Sequence, residues 1–203
     1  MSSRAKSLLA LLLMAAVIDV HAAEGALEQG LDAYHQGDYA KALELWRPLA
    51  DKGDADAQYR LGSLYAEGKG VEQNDATALV WYQRAAEQGN ALAQYNVGAS
   101  YVAGLGIAKS DVDAVKWFRR AADQGMPFAQ LNLGLMYAAG HGVPYDSVEA
   151  MKWLQLALFG LPAGGARSDV ARAMEDVSAK MTPDQLREAK LRVRNFKPKA
   201  EGK

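Results

Sequence analysis

The sequence predicts an all-α fold: a right-handed superhelix, or solenoid, of antiparallel helix pairs that ends in a C-terminal capping pair. One stretch occurs three times at a spacing of 36 residues, starting with Ala-Gln at 57–58, 93–94 and 129–130 and ending with Gly-x-Gly. A constant period of this length is typical of stacked helical repeats. Within each copy, apolar residues recur at helical spacing, and residues that favour helix ends lie between the apolar runs.

The composition is compatible with this fold without cross-links. The chain has 203 residues, half of them hydrophobic, a formal net charge of -1 and no cysteine. A chain of this length buries roughly 70% of its unfolded surface when it folds as one unit. A hydrophobic core is therefore available without disulfides, and the lack of cysteine excludes thiolate zinc sites and a thiol nucleophile.

The N-terminal residues predict an exported chain. Arg4 and Lys6 precede the apolar run 8–18, and Val-His-Ala at 20–22 places small residues where a signal peptidase cuts. The run is too short to span a bilayer, which takes about 20 residues. We expect 1–22 to be a signal peptide cleaved after Ala22, or as a second choice after Ala23, which leaves a periplasmic or secreted chain with no stable membrane anchor. Asp19 interrupts the run and disfavours the alternative, an uncleaved anchor.

Without the signal peptide, the charges are unevenly distributed. Residues 23–186 hold 14 Lys or Arg against 21 Asp or Glu, whereas residues 187–203 hold 7 against 2. A basic tail can bind an acidic partner, a membrane surface or nucleic acid, or it can be a solvated helix face with a frayed end. Nucleic-acid sites interleave aromatic residues with the cations. Phe196 is the single aromatic residue of this tail, so we expect no nucleic-acid partner.

Residues 23–53 predict one helix pair that resembles a plain tetratricopeptide unit. Its second helix carries apolar residues at the i, i+3, i+4, i+7, i+8 spacing of an amphipathic helix, namely Ala42, Leu45, Trp46, Leu49 and Ala50. The loop after its first helix is five residues shorter than the loops of the later units, and it lacks Gly-x-Gly.

Residues 54–160 contain three longer repeats whose first helices carry glycine at one fixed position, namely Gly62, Gly98 and Gly134. Glycine inside a helix costs about 0.5–1 kcal/mol relative to alanine. Its recurrence at one position therefore indicates a close approach between helices. Gly68, Gly104 and Gly140 fall where a left-handed C-terminal cap is required.

The second helices of these repeats start at Asn74, Ser110 and Asp146, because the side-chain oxygens of such residues accept hydrogen bonds from the first free amides. Each helix then places a tryptophan on the same face as several alanines. The tryptophans are Trp81, Trp117 and Trp153. A large side chain opposite small ones is typical of core packing. The alternative is a stacking platform for a sugar or a base.

Together these residues resemble the Sel-one-like repeat, a subclass of the tetratricopeptide-like solenoids. The shared order is Ala-Gln, Leu-Gly or Val-Gly, Tyr, Gly-x-Gly, Trp and Ala-Ala, and it covers residues 55–159 in three copies. Ser147 and Leu158 depart from the pattern, since the family tends to place an aromatic residue and an alanine there. A fourth copy would begin at 161–165, which reads Leu-Pro-Ala-Gly-Gly instead.

Residues 161–196 predict a pair of capping helices, because terminal repeats must cover the exposed end of a solenoid. The first capping helix has an apolar stripe formed by Val170, Ala173, Met174 and Val177. The second starts at Thr182-Pro183-Asp184-Gln185, which combines an N-cap, a proline at the first helical position and a capping-box glutamine. Residues 197–203 are expected to be disordered.

No residue pattern predicts catalysis, so we expect neither an enzyme nor a cofactor. His35 and His141 lie in different units, and without cysteine they do not predict a metal site. Gly104-Leu105-Gly106 starts like a dinucleotide-binding fingerprint, but Lys109 replaces the third glycine and the motif follows a helix rather than a strand.

Binding is therefore expected on the concave face lined by the first helices, at positions that differ between repeats. Arg60, Asn96 and Asn132 share one position of the repeat and offer a cation and two amides, which suit an extended peptide or a polar loop. The alternative is that these positions simply face water. The full candidate set is Tyr59, Arg60, Ser63, Tyr95, Asn96, Ala99, Leu131, Asn132 and Leu135.

The resemblance implies an exported module that binds another protein of the cell envelope. Some bacterial members of that family serve as adaptors in envelope assembly or polysaccharide export, and others are immunity proteins that block a toxic effector. The competing hypothesis is a protein that binds or degrades cell-wall glycan through exposed rows of Trp and Tyr.

Overall fold

The computed structural model describes residues 23–201, so the predicted signal peptide and the last two residues lie outside the described part. Ten helices follow one another there: α1 (23–35), α2 (Tyr39–Asp51), α3 (Ala55–Glu67), α4 (Asp75–Glu87), α5 (Ala91–Ala103), α6 (Asp111–Asp123), α7 (Pro127–Ala139), α8 (Ser147–Gly160), α9 (Gly165–Ser178) and α10 (Pro183–Asn195). None of these helices is both long enough and apolar enough to cross a membrane.

Neighbouring helices pack in chain order. From α2 to α9 each helix contacts the next one, and α10 returns to pack on α8. Helix α1 joins the first core through Ala33, which clusters with Trp46 and Leu61. Short connections between packed neighbours make each pair antiparallel. Since residues 23–201 contain no strand, the predicted all-α superhelix of helix pairs is confirmed.

Glycine allows the two helices of each repeat to approach closely. A Cβ atom at Gly62 would lie 2.7 Å from Cδ1 of Tyr82, and one at Gly98 would lie 2.7 Å from Cδ1 of Phe118. A Cβ atom at Gly134 would likewise be too close to Leu154, and one at Gly30 would be too close to Trp46. The predicted close approach is confirmed. In the three longer repeats, however, the glycine contacts the residue that follows the repeated tryptophan, not the tryptophan itself.

The repeated tryptophans are buried to different extents. Trp153 is fully buried and Trp81 is 8% exposed. Trp117 is only half-buried, beneath a guanidinium group of Arg120 that lies 4.7 Å from the ring centroid. Core packing is therefore confirmed for Trp81 and Trp153 and is incomplete at Trp117. The exposed row of indoles required by the glycan hypothesis is not formed at these positions, because the rings are enclosed by neighbouring helices.

The helix ends follow the predicted signals. Gly68, Gly104 and Gly140 adopt φ values of 66°, 76° and 71°, so each supplies the left-handed cap that ends a first helix. The side chains of Asn74, Ser110 and Asp146 accept hydrogen bonds from backbone amides at the start of α4, α6 and α8. Loop and helix boundaries are therefore set by local contacts.

The last two helices cover α8. Val170, Val177 and Ala189 are buried in one cluster with Leu154 of α8. Thr182 and Gln185 form the predicted capping box at the start of α10. Helix α9 begins at Gly165, five residues before the first residue of the predicted apolar stripe, Val170. The pair thereby shields the apolar side of α8 from water, as the end of a solenoid requires.

Residues 197–201 lie against the repeats in this structure, whereas the sequence predicts a disordered tail. The Lys199 amide donates to the carbonyl of Asp123 at 2.9 Å. The Glu201 carboxylate accepts from Nη2 of Arg120 at 2.7 Å and from Nε2 of Gln94 at 2.8 Å. These partners are 76–107 residues away in sequence, so the composition of the tail could not reveal them.

Candidate functional site

The odd-numbered helices, here together called the inner surface, border three cavities. The first lies between α1 and α3, the second between α5 and α7, and the third between α7 and α9, with volumes of about 190, 220 and 390 Å³. Stacked repeats commonly use such a surface for binding. The candidate residues lie on α3, α5 and α7.

The first cavity contains three of the candidates, Tyr59, Arg60 and Ser63, beside Trp46. The guanidinium carbon of Arg60 lies 5.4 Å from the Trp46 ring centroid, within the range of a cation–π contact. Its Nε is buried and has no hydrogen-bond partner among residues 23–201. Arg60 is therefore positioned by the indole, and its guanidinium group retains hydrogen-bonding capacity.

Ser63 and Tyr59 are partly occupied by structural contacts. The Ser63 hydroxyl donates to the Tyr59 carbonyl at 3.1 Å and accepts from the Tyr82 hydroxyl at 3.3 Å. The Tyr59 ring packs 5.9 Å from that of Tyr82. Burial raises the pKa of Tyr82 to about 12, so its hydroxyl remains a donor at neutral pH. In this cavity Arg60 is consequently the candidate best placed to meet a partner.

An ionic cluster lies at the rim of the same cavity. Lys69 contacts the Glu67 carboxylate at 2.6 Å and donates to the Tyr34 hydroxyl at 2.7 Å. The Tyr34 hydroxyl in turn donates to Glu67 at 2.8 Å. The hydrogen bond to Glu67 raises the pKa of Lys69, which therefore remains charged. The rim presents both charges, and the cationic Arg60 lies deeper.

The second cavity has an apolar character. Ala99, Asn132 and Leu135 line it together with Phe118 and Val102. Leu135 is 41% exposed and Val102 is 44% exposed, so apolar side chains face solvent here. Asn132 is the one amide of the candidate set in this cavity. The structure therefore brings together three candidates from two different repeats, as the sequence predicted for a shared face.

Three of the candidates are not among the residues that line these cavities: Tyr95, Asn96 and Leu131. Tyr95 packs 5.7 Å from Phe118 and 6.4 Å from Phe128. Leu131 packs against the cluster beneath α8 and α9. Tyr95 and Leu131 thus contribute to helix packing, and Asn96 is half-buried on α5.

His141 is exposed in the loop after α7 and is not among the candidates chosen from the sequence. It lines both the second and the third cavity, together with Leu135 and Met136. Tyr145, 52% exposed, lies in the third cavity as well. The available signal was that His141 stands where the other repeats have Lys69 and Leu105.

The arrangement offers contacts for binding rather than groups for a reaction. Among residues 23–201 there is no cluster of His, Cys, Asp or Glu that could hold a metal ion. The fold and its inner surface define the class of protein as an α-solenoid with a cationic pocket at one end and an apolar groove towards the other.

The chain belongs to the Sel1 repeat family. Four stretches match the Sel1 repeat model, namely 25–54, 55–90, 91–126 and 127–158, which together make up well over half of the chain. The first stretch is the helix pair that the sequence analysis compared to a plain tetratricopeptide unit. Its loop is shorter, but the contact between Gly30 and Trp46 preserves the packing of the later repeats.

Solved structures support the same assignment. The chain is 35% identical to a Sel1 repeat protein from Oxalobacter formigenes, with a TM-score of 0.67 over 75% of this chain and 60% of that one. It is 28% identical to c5321, a protective antigen of uropathogenic Escherichia coli with the same type of fold, with a TM-score of 0.52 over 86% of this chain and 45% of that one. The chain therefore spans about half the length of these two proteins.

One curated relative matches a shorter region. A protein named exopolysaccharide production negative regulator, from Rhizobium leguminosarum bv. viciae, is 38% identical over 53 residues, which are 26% of this chain and 20% of the regulator. Sel1 repeats generally mediate protein–protein interaction, and their scaffolds are typically non-catalytic. The inner surface described above is consistent with this general role.

Proposed function

We propose that this chain is a non-catalytic interaction module of the bacterial cell envelope that binds a protein partner on its inner surface. One observation carries the proposal: the cavities on either side of α7 share Leu135, Met136 and His141, so they form one groove. Exposed apolar residues in a groove with a polar rim are typical of protein-binding sites.

The chemistry of the groove suggests the type of partner. Leu135 and Val102 favour an apolar side chain of the partner, and Asn132 supplies an amide beside it. Further along the inner surface, Arg60 can donate to a carbonyl or a carboxylate. An extended segment or a loop with one apolar anchor and an acceptor group fits this order of contacts.

The location in the envelope is proposed from the predicted signal peptide. The name of the Rhizobium relative, which refers to exopolysaccharide production, is consistent with an envelope role. An adaptor and an immunity protein would both use the inner surface, and they differ in the partner: a component of an assembly in one case, a toxic effector in the other.

The proposal is tested by capturing partners from an envelope extract with the tagged chain and with Leu135→Asp. Because Leu135 is 41% exposed, the variant is expected to fold and to lose the partners that the unchanged chain retains. Val80→Asp is the matched control, since Val80 is 46% exposed and lies on α4, away from the groove. If Leu135→Asp captured the same proteins as the control, the inner surface would not be the binding site.

A further inference from the structure

A second surface of the chain holds a carboxylate in a specific site. The Oε2 atom of Glu201 accepts from Nε and Nη2 of Arg120 at 3.0 and 2.7 Å, and from Nε2 of Gln94 at 2.8 Å. Gln94 is fully buried, and its Oε1 accepts from Gln124 at 2.8 Å, which orients its NH₂ group towards the carboxylate. Three donors converge on one oxygen, and such charge-assisted contacts are the stronger kind of hydrogen bond.

The backbone of the tail is bound as well. The amide of Lys199 donates to the Asp123 carbonyl at 2.9 Å, and the amide of Glu201 donates to Oε1 of Gln124 at 3.4 Å. The tail passes over two turns that contain glycine. A Cβ atom at Gly125 would lie 3.2 Å from Cγ of Pro198, and one at Gly89 would lie 2.5 Å from the Glu201 carbonyl oxygen. A side chain at Gly89 would therefore block the path.

The tail crosses one repeat of the solenoid for every three of its residues. Pro198 lies at Gly125 and Glu201 lies at Gly89, so three residues of tail cover one repeat of 36 residues. Three extended residues span about 10 Å. Packed helices are separated by about 8–10 Å. An extended chain can therefore present every third side chain to equivalent positions of successive repeats.

The same groups recur one repeat earlier. Gln58 is buried and its Nε2 donates to the Ala50 carbonyl at 3.1 Å, while its Oε1 accepts from Gln88 at 2.8 Å. The guanidinium carbon of Arg84 lies 4.5 Å from the Trp81 ring centroid, as that of Arg120 lies 4.7 Å from the Trp117 ring centroid.

The surroundings of this earlier set also match. Gly53 occupies the equivalent turn with φ of 98°. Asp56, at the start of α3, accepts from Asn90 at 2.8 Å. Arg84 stacks on Trp81, and its guanidinium group can meet an acidic side chain from a partner.

We propose that this row of turns, here called the turn edge and defined by Gln58, Arg84, Gln94 and Arg120, binds an extended acidic segment of a partner protein. The segment would carry two carboxylates three residues apart, one for each arginine–glutamine pair. Residues 197–201 occupy the later pair in cis and compete with the partner. The turn edge shares no residue with the three cavities of the inner surface, so the two sites can be tested independently.

The test measures binding of two synthetic peptides by isothermal titration calorimetry. One is acetyl-Lys-Pro-Lys-Ala-Glu-Gly-Ala-Glu-amide, and the other has Gln in place of the last Glu. Glu201→Gln removes the competing carboxylate, so the first peptide is expected to bind this variant about tenfold more tightly than the unchanged chain. The first peptide is also expected to bind this variant more tightly than the second does, because only the first places a carboxylate at Arg84.

Two variants and a control assign the contacts. Arg120→Gln is expected to weaken both peptides about tenfold or more, and Arg84→Gln to abolish the preference for the first peptide while leaving the second unchanged. Arg187→Gln makes the same charge change on α10, away from the turn edge, and is expected to leave both affinities unchanged. Equal binding to the unchanged chain and to Glu201→Gln, or a preference that survives Arg84→Gln, would overturn the proposal.

Arg120 also covers Trp117, so Arg120→Gln is first checked for a cooperative unfolding transition. If Arg120→Gln did not fold, the peptide affinities of Glu201→Gln and Arg84→Gln would decide whether the turn edge binds the acidic segment, since neither substitution removes the contact between Arg120 and Trp117. Absence of binding by both peptides to every folded variant would also overturn the proposal.

Discussion

Single glycines determine how closely the helices of a repeat can pack. At Gly98 an added Cβ would lie 2.7 Å from Cδ1 and 2.8 Å from Cε1 of Phe118, which is 1% exposed and cannot move aside easily. The phenyl ring thus takes the space that a side chain would otherwise fill. The energetic cost of glycine within α5 is offset by this burial.

We therefore predict that Gly98→Ala destabilises the chain, although alanine has the higher helix propensity. Overpacking of a core typically costs about 1–3 kcal/mol, and chemical denaturation measures it. Gly25→Ala is the matched control within a helix, because no atom lies within 4 Å of the added Cβ there. A stabilised Gly98→Ala variant would show that Phe118 can shift and that the glycine is not required for packing.

The burial of the individual tryptophans also changes how much each one is expected to contribute to stability. Trp153 is fully buried and its ring packs 5.6 Å from that of Phe196. Trp117 is half-buried under Arg120. Replacement of the buried Trp153 by alanine is expected to lower the free energy of unfolding by about 3–5 kcal/mol, and the same replacement at Trp117 is expected to lower it less.

At the scale of helices, one carboxylate connects α8 to α10. Glu149 on α8 accepts from Nη1 of Arg192 on α10 at 2.6 Å and from Nε1 of Trp153 at 2.9 Å. Burial alone would raise the pKa of Glu149, but the hydrogen bond from Arg192, the charge of Lys152 and the hydrogen bond from Trp153 hold it below its usual value. The capping pair is therefore attached by an ionic contact in addition to its apolar core.

This lowered pKa has a consequence for stability. Glu149 adds stability that is fully present above the unfolded-state pKa, about 4.3, and is lost as the pH falls through the lower folded-state value. We predict that Glu149→Gln is less stable than the unchanged chain at pH 7 by about 1–2 kcal/mol. The difference should narrow as the pH falls below about 4.

Urea midpoints between pH 7 and pH 2.5 measure this effect. Glu44→Gln serves as the control, since Glu44 forms an exposed pair with Lys41 and its side chain is 69% exposed. The control should follow the unchanged chain at every pH. A stability difference for Glu149→Gln that stayed constant across the range would contradict the assigned role.

At the scale of the whole molecule, the binding surfaces follow from stacking. No single repeat contains the groove, because its walls come from α5, α7 and α9. The turn edge likewise combines residues of four helices, α3, α4, α5 and α6. A solenoid creates extended surfaces only when several repeats are aligned.

The proposed export is tested on the whole chain. Mass spectrometry of the protein recovered from the periplasm or medium is expected to show an N-terminus at Ala23, or at the next residue for the second cleavage choice. Ala22→Arg should prevent cleavage at the first site, because a signal peptidase requires a small residue there. Ala15→Leu keeps the apolar run and should be processed normally. Recovery of the unchanged chain in the cytoplasm with residues 1–22 intact would contradict the proposal.

The sequence alone was sufficient for the repeat architecture because its determinants are local. The caps at Asn74, Ser110 and Asp146 bond to amides two or three residues away, and the left-handed glycines end the helices in which they lie. A period of 36 residues then requires that equivalent helices stack. The candidate residues on the inner surface could be chosen by their repeat position for the same reason.

The tertiary structure decided which side chains of these helices contact one another and which remain exposed. Contacts between residues far apart in sequence placed Glu201 on Arg120, brought His141 to two cavities and left Trp117 only half-buried. Such contacts depend on how the helices are spaced and rotated relative to one another, which the period of the sequence does not specify. The period of the sequence therefore determined the scaffold, and the packing of the scaffold determined which side chains remain available to a partner.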